Sequence, residues 1–121
     1  MKPIRAIRID AERQTVTELV ISSLEQAQGA VGGYIELACD LGDSNDLYVD
    51  EEGRLKNFRH AFYVDGAPEP IYVGNGLITA VDLDTGDWQD TTFSAEEVSR
   101  RIHWLSAIYA ERGVHIEFFG V

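Results

Sequence analysis

The chain has little of what usually declares a function. One cysteine, Cys39, among 121 residues excludes an internal disulfide and fits a reducing compartment. No apolar run reaches the ~18 residues that cross a bilayer, and the chain does not open with the basic-then-apolar pattern of a secretion signal. Together these absences predict a cytoplasmic protein with no membrane partner. Cations are scarce as well: 10 Lys and Arg stand against 21 Asp and Glu, for a net charge of −11. Nucleic acids are gripped through basic surface, so direct nucleic-acid binding is disfavoured. There is no Walker-type loop, no zinc-ligand spacing and no nucleophile–base pair, and no cofactor is expected.

What is present suits a globular protein. Hydrophobic residues make up 45% and charged ones 26%, ordinary proportions for a folded chain. A length of 121 residues predicts one domain, 1–121. A chain of that size buries roughly two-thirds of its unfolded surface. The acidity has two readings: a solvated surface that keeps the protein soluble, or a face that docks on a basic partner.

Residues 2–9 and 16–21 alternate in polarity and predict a hairpin of two strands. Ser22-x-x-Glu25 has capping-box spacing and opens a short helix with Leu24, Ala27 and Val31 on one side. Gly32 and Gly33 end it. Residues 34–41 then read as a strand with Ile35, Leu37, Cys39 and Leu41 on the core face and Tyr34, Glu36, Ala38 and Asp40 opposite. The turn formers 42–45 lead into the strand 47–49, which ends in an acidic turn at Asp50-Glu51-Glu52-Gly53.

Residues 31–56, with their VGGYIE segment and YVDEEGRL turn, resemble the small DUF3846-type domain of phages and mobile elements, whose function is unknown. The resemblance covers roughly residues 2–81 and implies a phage or mobile-element origin; it assigns no chemistry. From Asp40 to Glu52 run six carboxylates (Asp40, Asp43, Asp46, Asp50, Glu51, Glu52) without a cation. Their spacing matches no calcium loop, so a negative patch is expected and not a metal site.

Residues 54–64 fit either a helical face through Leu55, Phe58 and Phe62 or a strand at 62–64. Residues 65–70 form a loop, and 71–81 read as one strand kinked at Gly74-Asn75-Gly76. An acidic loop over 82–90 contains Asp84-Thr85-Gly86, the triplet of aspartic proteases, in which two carboxylates share a proton. The same triplet is also an ordinary turn, and Asp82, Asp87 and Asp90 would crowd a protease site. Ser94–Glu97 is a second capping box, with Phe93 and Val98 at hydrophobic-staple spacing. Val98, Ile102, Leu105 and Tyr109 continue as a helical stripe to Gly113, and 114–119 alternate as a last strand. His60, His103 and His115 have no ligand spacing, while Trp104 and Phe119 are candidate surface aromatics.

The expected fold is α+β, a mostly antiparallel sheet of about five to seven strands with two helices packed on one face. The expected function is non-enzymatic binding of a host protein with a basic surface. The contact candidates are Asp43, Asp46, Asp50, Glu51 and Glu52, with Asp82, Asp84 and Asp87 second. The alternative is a small-ligand protein or enzyme, including a DTG-type protease acting through Asp84.

Overall fold

The computed structural model describes residues 1–53, 59–68, 71–109 and 116–120, from residue 107 onward by backbone alone. The described strands are β1 (Ile4–Asp10), β2 (Thr15–Ile21), β3 (Ile35–Gly42), β4 (Asn45–Asp50), β5 (His60–Val64), β6 (Tyr72–Val73), β7 (Gly76–Val81), β8 (Trp88–Gln89), β9 (Ile102–Tyr109) and β10 (Ile116–Gly120). The helices are α1 (Leu24–Val31) and α2 (Ala95–Arg101). The larger sheet runs β2-β1-β7-β4-β3 with β8 on β7, and the smaller runs β10-β9-β5-β6. Each strand pair is antiparallel. The α+β class with antiparallel sheets and two helices is the expected one.

Alternation along β1 explains the layering. Ile7 and Ile9 point to one face of the larger sheet and pack with Leu47, Ile78, Phe62 and Val64. Ile4 and Ala6 point to the other face and pack with Ala27, Ala30 and Val31 of α1. A strand covered on both sides needs apolar residues at even and odd positions, which IRAIRID supplies. The smaller sheet and Val98 of α2 therefore sit on one face, and α1 sits on the other. The expectation of one sheet with both helices on a single face is corrected in this respect. Gly76 lets the two layers approach, since a Cβ there would lie 2.9 Å from the Phe62 ring and 3.0 Å from Leu47.

Local chemistry fixes the boundaries. The N-cap of α1 is Ser23, not Ser22, and its hydroxyl accepts from Gln26 N at 3.1 Å. Gln26 Oε1 in turn accepts from Ser22 N at 2.6 Å, so the box is shifted one residue along. Gly32, at φ 89°, closes the helix as expected. Ser94 caps α2 by accepting from Glu97 N at 3.1 Å, and Phe93 and Val98 share the core.

Two expectations fail for tertiary reasons. Helix α2 stops at Arg101, and residues 102–109 form β9 between β5 and β10. The apolar set also fits period two: Ile102 and Trp104 face the core while His103 is exposed. The β-branched and aromatic residues pair with β5 instead of continuing the helix. The expected terminus of that helix at Gly113 lies outside the described residues, as do residues 54–58 and His115; the strand reading at 62–64 holds in β5. At Gly74-Asn75 the chain does not kink within one strand. It crosses from β6 of the smaller sheet to β7 of the larger, with Gly74 at φ 87° and Asn75 Oδ1 accepting from Ala11 N at 3.1 Å.

Candidate functional site

The β3–β4 hairpin forms one edge of the larger sheet among the described residues. Its turn is Asp43-Ser44, with φ of 52° and 60°, the left-handed pair that a two-residue hairpin loop favours. Asp40 Oδ1 steadies the approach by accepting from Gly42 N at 2.7 Å. Asn45 is fully buried and ties the turn to the following layer. Its Nδ2 donates to Asp43 O at 3.0 Å and to Thr92 Oγ1 at 2.7 Å, while its Oδ1 accepts from Thr91 Oγ1 at 2.6 Å.

The strand preceding the turn is not regular. Leu37 pairs with Tyr48 and Cys39 with Leu47, so Ala38 is the extra residue of a bulge. A one-residue slip turns side chains to the other face. Leu37, expected in the core, is 56% exposed, while Cys39 and Leu41 are buried beneath the sheet. Tyr72 donates its hydroxyl to Cys39 Sγ at 3.4 Å, and burial is the main cause that pushes the thiol above its usual range. Cys39 is accordingly a packed residue with little thiolate character.

From Glu36 to Glu52 the hairpin and its closing turn carry seven carboxylates (Glu36, Asp40, Asp43, Asp46, Asp50, Glu51, Glu52) and no Lys, Arg or His. Asp40 and Asp46 stand directly opposite each other in the ladder. Burial first, and the Asp40 charge second, raise the Asp46 carboxyl above its ordinary range. Asp43 is exposed at the tip and Glu51 and Glu52 are exposed at the other end. Asp50 is buried, and its Oδ1 accepts from Glu52 N at 2.9 Å, so it shapes the turn and offers no open contact surface.

The second group lies beside the tip, because Val81 N donates to Ser44 O at 2.9 Å and Asp82 follows immediately. The triplet Asp84-Thr85-Gly86 is part of a surface turn. Asp82 Oδ1 accepts from Asp84 N at 2.8 Å and Thr85 N at 3.3 Å, and Gly86 takes φ 79°. Asp84 and Asp87 are exposed there. The eight candidates thus divide. Asp43, Asp46, Asp82, Asp84 and Asp87 share one end of the sheet, while Asp50, Glu51 and Glu52 lie the length of β4 away, roughly 20 Å.

Two concave regions flank the acidic residues. A cleft of about 320 Å³ lies under the bulge, with Glu36, Ala38, Val49, Glu51, Tyr72 and Val73 among its walls. Gly53 closes one side, where a Cβ would meet Val73 O at 2.7 Å. A wider cleft of about 610 Å³ lies between Met1-Lys2 and the 82–89 turn. Lys2, Asp82, Asp87 and Trp88 are among its lining residues. The Trp88 indole donates to Tyr48 Oη at 2.9 Å, a pairing of residues 40 apart that sequence spacing does not suggest.

The YVDEEG turn is the end of β4 and the tight Gly53 bend, and VGGY is the left-handed stop of α1 leading into β3. Both segments lie inside the stretch that matches a known family: residues 4–103 match the family described as a domain of unknown function, DUF3846. The chain belongs to the DUF3846 family. No curated protein and no solved structure matches it. The family match runs past residue 81 to include the DTG turn, α2 and the start of β9.

Among the described residues of this DUF3846 chain no group of three or more His, Cys, Asp or Glu could hold a metal ion. No helix among them is long and apolar enough to cross a membrane. His103 Nε2 lies 2.8 Å from Asp65 Oδ1, both exposed, with the Tyr63 ring 5.3 Å away. That pairing joins the outer face of β9 to the end of β5, and sequence reading missed it because residues 65 and 103 meet only through sheet register. His60 is half-buried and its carbonyl accepts from Gly74 N at 3.0 Å. Trp104 packs against the core and is not a surface aromatic, while the side chain of Phe119 lies outside the described residues.

Proposed function

We propose that this DUF3846 chain is a cytoplasmic, non-enzymatic binding protein that docks its acidic β3–β4 hairpin on the basic surface of a partner protein. The partner fitted by the family resemblance is a host protein of the phage or mobile element that carries the chain. One observation carries the reading: seven carboxylates on an edge hairpin and its closing turn without an intervening cation in the sequence, two of them opposed as Asp40 and Asp46. Like charges directly opposite in a ladder are destabilising. A partner's Lys and Arg would relieve that repulsion and would also speed encounter at low salt. The tip and the adjoining 82–87 turn form the broader part of this surface, which speaks against direct binding of phosphate backbones.

The test is capture of a partner from host lysate at low and high salt, read by mass spectrometry. Asp43→Asn with Asp46→Asn and Glu51→Gln with Glu52→Gln should each weaken capture while the thermal melt stays cooperative. Asp50 is left intact because its side chain holds the turn. Capture that survives both pairs of substitutions would sink the reading. The DTG alternative has less support, since Asp84 sits on an exposed turn and its neighbouring amides are committed to Asp82.

A further inference from the structure

We propose that the cleft beneath the Ala38 bulge is the anchor site of the hairpin and receives one long cationic side chain, arginine or lysine, from the partner protein; this rests on the docking reading above. The cleft is a product of the bulge. Counting back from Cys39, which faces the core beside Leu47, regular alternation would place Leu37 under the sheet. The bulge turns Leu37 to solvent and leaves the much smaller Ala38 on that side. The unfilled space is about 320 Å³, within the range of small-ligand sites.

The walls match such a side chain along its length. Ala38, Val49 and Val73 offer apolar surface for the methylene stem. Tyr72 also lines the cleft, its ring fixed by the contact of its hydroxyl with Cys39. At the rim stand the carboxylates of Glu36 and Glu51, both exposed, where a guanidinium or ammonium would keep part of its hydration. Close approach of Gly53 to the Val73 carbonyl seals one wall, so the cleft is set by backbone and not by movable side chains alone.

The experiment titrates the ¹⁵N-labelled protein with Nα-acetyl-arginine methylamide at low ionic strength, followed by amide shifts. The lysine analogue reports which cationic head is preferred, and the citrulline analogue is the uncharged control. Saturable shifts centred on residues 36–38, 51 and 73, absent with citrulline, are expected. Glu36→Gln with Glu51→Gln should weaken binding roughly tenfold. Ala38→Leu, which refills the space, should abolish it while the remaining spectrum stays dispersed. Unsaturable shifts spread over all the acidic residues, equal binding of citrulline, or indifference to both variants would overturn the proposal. Saturable binding without any captured partner would sink the docking reading and leave the cleft standing. Capture undiminished by Glu36→Gln with Glu51→Gln would sink the cleft as anchor and leave docking by the tip.

Discussion

Replacing Asp46 with asparagine should make the protein more stable. Asp46 is half-buried on β4 and faces Asp40 across the ladder. Its carboxyl is raised above the ordinary carboxylate range, by burial first and by Asp40 second. A carboxyl whose folded pKa exceeds its unfolded one binds protons more tightly in the folded state, so stability falls as pH rises through that window. Above the window the full cost of the charge is present; below it the cost is gone. Asparagine keeps the shape and removes the charge. Opposed like charges cost about 0.2–1 kcal/mol, and a domain of this size gains roughly 1–5 °C in Tm from relief of that order. Thermal melts of both proteins at pH 7.5 and near pH 4, repeated in 1 M salt, read this out. Asp46→Asn should melt higher at pH 7.5, and the difference should shrink both in acid and in salt. A variant less stable than the parent at pH 7.5, or a gap that widens in acid, would refute the electrostatic reasoning.

Gly76→Ala should lower the denaturant midpoint by about 1–3 kcal/mol of stability, because the added methyl meets Phe62 and Leu47 between the sheets; a neutral result would mean that the layers are not held that closely. Arg5→Met should cost roughly 1–3 kcal/mol, since the guanidinium donates to the carbonyls of Thr91 and Phe93 and pairs with Glu18, and urea titration would measure it. Cys39 should react with a thiol reagent far more slowly in the native protein than in denaturant at pH 8, because burial holds the thiol protonated; equal rates would contradict its placement.

The local devices were legible in the sequence and the long-range ones were not. Gly32 as a helix stop, Ser94 as a cap and the two-residue turn at Asp43-Ser44 each depend on a few neighbouring residues, and each is where the pattern put it or within one residue. The first hairpin followed from its alternation, and its register is regular from Ile4–Ile21 to Asp10–Thr15. The helix expected through Tyr109 failed because Val98, Ile102 and Leu105 satisfy a helical stripe while Ile102 and Trp104 satisfy a strand, and only the presence of β5 decides between them. The exposed Leu37 and the cleft below it were invisible because a bulge leaves no mark in an alternating sequence. For the acidic candidates the sequence supplied their charge. The separation of Glu51 and Glu52 from Asp43, and the burial of Asp50, came from sheet geometry.

The central position of β7 bears on how the chain is made. Ile78 pairs with Ile7, 71 positions earlier, and with Leu47 on the other side. Hairpins such as β1–β2 and β3–β4 close in about 1–10 μs, but the strand that joins them leaves the ribosome roughly 4–14 s after Ile7 at ordinary rates of synthesis. Leu47 precedes Ile78 by 31 positions, so for roughly 1.5–6 s Ile9 and Leu47, fully buried in the finished fold, have no strand between them. The nascent chain therefore carries two half-sheets with uncovered apolar faces for seconds. Seven like charges on the second of them would discourage contact between neighbouring nascent chains, so the same hairpin charge would guard the chain during translation.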